Sequence, residues 1–174
     1  MSKIGYEVTS FEPDPIHFKF LKKCCEINKI RPKLIKKAVY VRKASMSFIR
    51  VEDHSLKSHL KIASKNINSY GAKKKFKVKT LNFKKILKDF DFIKIDVEGS
   101  EAYLLKSLRS AKDFKCDMMV EISNKNNAKI IYKHLKRLNL NFINLSNFKN
   151  IKIKNLNDMP STYIDGFLII KKFN

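Results

Sequence analysis

The stretch FIKIDVEGSE, residues 92–101, constrains the fold of this chain more than any other segment. A run of apolar, β-branched and aromatic residues is typical of a buried strand, and here it ends in three acids and one glycine. Gly99 permits a tight turn, Ser100 can cap a helix, and apolar residues recur at helical spacing to about residue 110. The segment therefore predicts a strand that delivers carboxylates to a turn before a helix.

A similar unit lies near the N-terminus. Residues 6–11, YEVTSF, predict a short strand that ends at Glu12 and Pro13, because a proline holds the preceding residue in an extended conformation. Asp14 and Pro15 suit the N-cap and the first position of a helix, which we predict from about 15 to 28.

The rest of the chain predicts alternating strands and helices. Residues 34–51 indicate a strand and a hairpin, residues 52–75 a long loop with a helical turn, and residues 76–81 an exposed strand followed by a short helix. We predict a strand over 116–122, a helix over 126–138, and strands over 142–145 and 164–170. This alternation implies a parallel-rich sheet covered on both faces, within one domain that spans residues 1–174.

The net charge of +22 raises the question of an anionic partner. The lysines are scattered along the chain, and the longest basic run is Lys73–Lys75. A lysine-rich composition explains such scatter, so we favour that explanation over a nucleic-acid footprint, which the charge nevertheless leaves open.

Three cysteines and the absence of targeting signals bear on the compartment. Cys24, Cys25 and Cys116 form neither a disulfide framework nor a zinc motif. The N-terminal sequence has no apolar segment of a signal peptide, and no run of 18 apolar residues is present. We therefore expect a cytoplasmic protein.

Three acids follow or end predicted strands: Glu12, Asp96 and Glu121. Ligands bind outside the carboxyl ends of the strands in open α/β sheets, so these carboxylates are candidates for one site. Each has a simpler explanation: Glu12 can be a surface acid beside a proline turn, and Asp96 a buried partner of Lys94, which lies on the same side of the strand. No single acid decides the function.

Several segments together resemble the FkbM-like S-adenosylmethionine-dependent methyltransferases: VTSFEPDP, VKTL, FIKIDVEGSEAYLLKS, MMVEI and IDGFLIIKK. The likeness covers nearly the whole chain. It implies an α/β fold with a Rossmann-like class I methyltransferase sheet, mostly parallel and with helices on both faces. It also implies methyl transfer to a hydroxyl of a carbohydrate or other small molecule.

The resemblance assigns roles to individual residues. Glu12 would bind the ribose of S-adenosylmethionine and Ala38 would lie near the adenine. Asp96 would lie at the centre of the site, with Glu98, Gly99 and Glu101 shaping the adjacent turn, and Glu121 matches an acid at the fifth strand. A carboxylate can accept the proton of an alcohol, and we hypothesise that Asp96 or Glu121 is the catalytic base.

The histidines and the spacing of possible metal ligands give weaker indications of function. His54 or His59 could reach a site from the long loop, but we expect an exposed loop histidine without a role there. Carboxylates can bind a divalent cation, yet the sequence gives no ligand spacing that requires a metal.

The chain departs from the family pattern at its start. Glycine occurs only at 5, 71, 99 and 166, so the first strand and its glycine-rich loop are lacking, and Asn82 stands where the family often has an acid. We interpret the chain as an N-terminally truncated member, either a fragment, which we favour, or a degenerate protein. Both explanations predict weak cofactor binding and leave open that the isolated chain is inactive. The alternative function is a non-catalytic basic module that binds nucleic acid or another polyanion.

Overall fold

The computed structural model describes residues 1–52, 58–66, 71–122, 124–162 and 164–173. The four α-helices of these residues are α1 (Pro15–Ile27), α2 (Phe83–Ile86), α3 (Glu101–Ser107) and α4 (Lys125–Arg137). The strands are β1 (Thr9–Phe11), β2 (Lys33–Ile35), β3 (Ala38–Tyr40), β4 (Ser45–Val51), β5 (His59–Leu60), β6 (Lys73–Asn82), β7 (Phe92–Ile95), β8 (Asp117–Val120), β9 (Phe142–Ser146), β10 (Lys149–Lys152) and β11 (Phe167–Ile170).

The two long helices begin where the capping residues predict. The side chain of Asp14 accepts hydrogen bonds from the backbone N–H groups of Ile16 and His17, at 2.7 and 3.3 Å, and Pro15 is the first helical residue. Asn124 caps α4 in the same way through the N–H of Asn127. The predictions of α1 and α4 are confirmed to within one or two residues.

The strands form three hydrogen-bonded groups. β1 pairs with β2; a four-stranded sheet has the order β3-β6-β4-β5, and a five-stranded sheet has the order β10-β9-β11-β8-β7. Residues of both larger sheets, among them Phe48 and Val78 of the first and Met118 and Leu168 of the second, belong to one cluster of buried side chains.

The expectation of a mostly parallel sheet is wrong for the described residues. Three strand pairings are parallel (β1–β2, β3–β6 and β7–β8), and the other five are antiparallel. The sequence did not predict β10, whose four residues are all exposed. Asn147 and Phe148, both with positive φ, connect β9 to β10 in a tight hairpin, and such a connection can only join antiparallel strands.

One predicted loop contains a strand, and one predicted helix is shorter than expected. The segment 52–75 contains β5 and a 3₁₀ helix at Lys61–Asn66, as well as residues outside the described part of the chain. Helix α3 ends at Ser107 because Leu108 is already extended. Within the described ranges, no helix has the length and apolar character needed to cross a membrane.

Candidate active site

A cavity of about 320 Å³ lies beside the residues that follow β1 and β7. Glu12 directly follows β1, Asp96 directly follows β7, and both side chains line this cavity. Its size is at the lower end of the range of about 300–1,000 Å³ that is usual for small-molecule sites. The structure thus brings together two of the strand-end carboxylates that the sequence singles out.

Glu12 presents one carboxylate oxygen to a backbone group and keeps the other available. Its Oε1 accepts a hydrogen bond of 2.7 Å from the N–H of Asp14. Its Oε2 has no hydrogen-bond donor among the residues that the structure describes. Burial raises the pKa of the Glu12 carboxyl above its ordinary value, although the Asp14 N–H acts in the opposite direction.

The turn that carries Glu12 is anchored to β4 by a buried ion pair. The guanidinium of Arg50 donates from Nε to Oδ2 and from Nη2 to Oδ1 of Asp14, each at 2.6 Å. Asp14 is fully buried, and Arg50 also lies over the ring of Phe76 at 5.0 Å. Burial by itself would raise the pKa of Asp14, but the hydrogen bonds from Arg50 and the helix N-terminus outweigh it and lower that pKa.

Small and apolar side chains form other walls of the cavity. Ala38, at the start of β3, lines the cavity, and its own side chain is buried. Val39, Phe48 and Leu60 add apolar surface.

Two histidines of the lining were not predicted as site residues. His17 follows the N-cap of α1, and His59 lies in β5 with only 2% of its surface exposed and its Nε2 3.1 Å from Oγ of Ser64. The expectation that His59 is an exposed loop residue is therefore wrong. His54, the other candidate, lies outside the described residues. The Asp14–Pro15 cap could have indicated His17, but no local pattern indicates His59.

Asp96 and Glu121 are neighbours because of the register of their strands. Ile95 pairs with Val120 in the parallel β7–β8 ladder, and each acid is the next residue along its strand. Nζ of Lys94 lies 3.2 Å from Oδ2 of Asp96 and 3.9 Å from Oε2 of Glu121.

The cluster of Lys94, Asp96 and Glu121 shifts the pKa of the Glu121 carboxyl group. Burial, and then the nearby Asp96 carboxylate, raise the pKa of Glu121, whereas Lys94 acts to lower it. Asp96 is the partner of Lys94, as the simpler explanation proposed, but the pair is 39% and 52% exposed rather than buried. Glu121 does not line the cavity and reaches the site only through this cluster.

The turn after β7 is held by a carboxylate of the following helix. Glu98 and Gly99 both have positive φ, 45° and 85°. Glu101 is buried, and it accepts hydrogen bonds from the N–H of Gly99 at 2.9 Å and from Nδ2 of Asn127 at 2.6 Å. Ser100 is the N-cap residue of α3, as the sequence predicts, but its side chain makes no capping hydrogen bond, and its Oγ has no partner among the described residues.

Asn82 has a structural role. Its amide donates to the carbonyl of Val41 at 2.8 Å, and its Oδ1 accepts from the N–H of Lys85 at the start of α2. These two bonds need a side chain that both donates and accepts. An ionised acid at this position would lose the hydrogen bond to the Val41 carbonyl.

No cluster of three or more histidine, cysteine or carboxylate side chains in the described ranges is arranged to hold a metal ion. The site contains the Glu12 carboxylate, with one oxygen unpaired among the described residues, and an apolar wall. It also contains the Asp96 and Glu121 carboxylates beside Lys94. These groups can bind a diol and can accept a proton from a hydroxyl.

The sequence of this chain matches the model of a known protein family. The family model described as Methyltransferase FkbM domain matches residues 1–144, which include Glu12, Ala38, Asp96 and Glu121. Neither the curated proteins nor the solved structures contain a significant match to this chain.

Proposed function

Because the chain belongs to the FkbM methyltransferase family, we propose that it is an S-adenosylmethionine-dependent O-methyltransferase whose cavity binds the adenosine part of the cofactor. The observation that carries this proposal is the single cavity lined by both Glu12 and Asp96. These two acids are 84 positions apart in the chain, and each directly follows a strand.

The described residues fit the adenosine group. The free oxygen of Glu12 is an acceptor for the ribose hydroxyls, and a charge-assisted hydrogen bond of this kind contributes about 1.5–3 kcal/mol. Ala38, Val39 and Leu60 provide the apolar surface that an adenine ring requires. The turn that bears Glu12 is rigid, since the Asp14–Arg50 pair anchors it.

When bound, S-adenosylmethionine supplies an electrophilic methyl group. A hydroxyl that accepted this methyl group would have to lose its proton. We assign the acceptance of that proton to the Asp96–Glu121 pair, because a raised pKa brings a carboxylate closer to the range in which it is an effective base. Lys94 lies beside both carboxylates and can stabilise the charge of whichever is ionised.

The acceptor class rests on the family resemblance. We propose a hydroxyl of a carbohydrate or another small molecule. A cytoplasmic location is part of the same proposal, and the three cysteines, all of them free thiols, support it.

The adenosine contacts do not extend to the methionine portion of the cofactor. The sequence contains no glycine-rich turn for the methionine portion, and its four glycines are isolated. We therefore expect this chain to bind the cofactor weakly, through the adenosine contacts alone.

The test is a titration of the chain with S-adenosylhomocysteine, followed by NMR so that weak binding is measurable. Replacing Glu12→Gln should weaken binding about tenfold, because the neutral amide loses the charge-assisted bond. The matched control is Glu7→Gln, which changes the same charge at an exposed position. Equal affinities of the two variants would refute the assignment of Glu12, and nanomolar binding by the unmodified chain would contradict the expected weakness.

A further inference from the structure

A second groove, of about 610 Å³, is lined by three cationic side chains: Arg42, Lys106 and Arg109. We call it the basic groove. Among the described residues that line it, none is an aspartate or a glutamate. A groove lined by positive side chains and by no described carboxylate attracts anions.

The side chains of the three cations are unpaired with acids in the described part of the chain; the Asp113 carboxylate lies beside Arg109 but bonds its backbone N–H and pairs with Lys84. All three are exposed, and none forms an ion pair with a carboxylate of the described residues. Lys84, Lys94 and Lys171, in contrast, each lie within 4.0 Å of an acid. The charge of the basic groove is thus available to a ligand.

Both walls of the groove are anchored to the rest of the protein. Oγ1 of Thr80 donates to the carbonyl of Arg42 at 2.7 Å and accepts from the N–H of Ala44 at 2.9 Å. On the other wall, Glu101 at the start of α3 binds the side chain of Asn127 on α4. A ligand would therefore meet cations on ordered backbone, which reduces the entropy lost on binding.

The first turn of α4 adds to this potential. Asn126 lines the groove and belongs to that turn, which contains no acidic residue of its own, although the buried Glu101 carboxylate binds Asn127 there. The partial positive charge of a helix N-terminus favours anions. This contribution is secondary to the three full charges.

The basic groove lies close to the cavity. Val39 lines the cavity and Val41, two residues further along the chain, lines the groove. Two residues of an extended chain span at most about 7 Å, so the linings of the cavity and the groove approach within that distance. A small molecule of ordinary size can span such a distance.

We propose that the basic groove binds the phosphate or diphosphate group of a phosphorylated methyl acceptor. The identity of the ligand as an acceptor rests on the proposed function, whereas phosphate binding rests on the groove alone. Two arginines suit phosphate because the guanidinium donates two parallel hydrogen bonds to its oxygens. A groove of this volume matches a small molecule, and it has one exposed aromatic residue, Tyr103, whereas a single nucleic-acid strand is bound along a longer track with several stacking rings.

The experiment measures binding of inorganic pyrophosphate by calorimetry at 150 mM salt. The variant R42Q/R109Q should bind at least tenfold more weakly than the unmodified chain. The control K149Q/K152Q removes two charges from the exposed strand β10 and should change the affinity less than twofold. Thermal unfolding of each variant verifies that it is folded.

The possible outcomes distinguish a failure of the phosphate-binding proposal from a failure of the proposed methyltransferase function. Equal losses in both variants would mean that pyrophosphate responds only to the net charge, and would overturn the proposal, as would a lack of binding. S-adenosylhomocysteine binding is measured in the unmodified chain as well: if that chain binds S-adenosylhomocysteine but not pyrophosphate, the groove assignment alone is wrong. A single-stranded oligonucleotide that binds more tightly than pyrophosphate, with the same dependence on Arg42 and Arg109, would assign the groove to nucleic acid and also overturn the proposal.

Discussion

Arg50 and Asp14 form two hydrogen bonds of 2.6 Å that join strand β4 to the turn carrying Glu12. Asp14 serves two functions with one carboxylate: it caps α1 through Ile16 and His17, and it pairs with the guanidinium. The position of the cavity wall therefore depends on a charge pair that has almost no contact with solvent.

Replacing Arg50→Met should destabilise the protein by about 3–5 kcal/mol, because it leaves the Asp14 carboxylate buried without its partner. Urea unfolding measures this change. The control is Lys84→Met, which removes an ion pair whose lysine is 54% exposed and should cost less than about 1 kcal/mol. The double variant D14N/R50M should recover part of the loss. If Arg50→Met and Lys84→Met had equal effects, the buried pair would not anchor the turn.

Acid should destabilise the protein through Asp14. Its pKa is lowered in the folded state, so the folded protein binds fewer protons than the unfolded chain as the pH falls. The stabilisation is present above the ordinary aspartate pKa of about 4 and is lost as the pH decreases through the lower, folded value. Free energies of unfolding measured from pH 7 to pH 2 should fall less steeply in Asp14→Asn than in the unmodified chain. Parallel curves would show that other carboxylates dominate.

The titration of Glu121 should report on its neighbours. Burial and the charge of Asp96 both raise its pKa, and Lys94 lowers it. Carbon-13 NMR of the carboxyl group should therefore give a pKa above the ordinary glutamate value, a lower one in Asp96→Asn, and a higher one in Lys94→Met. An unchanged titration in both variants would mean that the three side chains do not interact in solution.

Gly166 should not tolerate a side chain. A Cβ at this position would lie 2.6 Å from the carbonyl oxygen of Leu145 and would also contact Oδ1 of Asn144, and the backbone φ is 125°. We expect Gly166→Ala to cost more than about 1 kcal/mol by chemical denaturation. Gly5→Ala is the matched comparison, since its φ is also positive but no atom lies within 4 Å. A smaller loss at 166 than at 5 would contradict the close approach of β11 to β9.

The cysteines should differ in reactivity. Cys24 is exposed, whereas Cys116 is completely buried and its pKa is raised to about 11, chiefly by burial. Iodoacetamide at pH 8 should modify Cys24 rapidly and leave Cys116 unmodified until urea is added, as peptide mass spectrometry can verify. Rapid modification of Cys116 in the native protein would mean that the core around it opens.

Local signals in the sequence predicted much of the secondary structure. The Asp14–Pro15 cap, the apolar run before Asp96 and the helical spacing in α4 are each encoded by residues that are adjacent or one turn apart. Their physical causes, capping hydrogen bonds and the burial of one face, act over that same short range. For this reason the strand-end acids could be selected before the fold was known.

Contacts between distant segments required the tertiary structure. Arg50 and Asp14 are 36 residues apart, His59 reaches the cavity from β5, and the basic groove combines residues from β3 onward to α4. The antiparallel pairings also escaped prediction, because apolar alternation specifies that a strand forms but not which edge it joins or in which direction. The sequence thus determined most of the strands, the α-helices and the acids available to a site. Only the packing of those elements decided which side chains meet, because that choice depends on shape and charge across the whole chain.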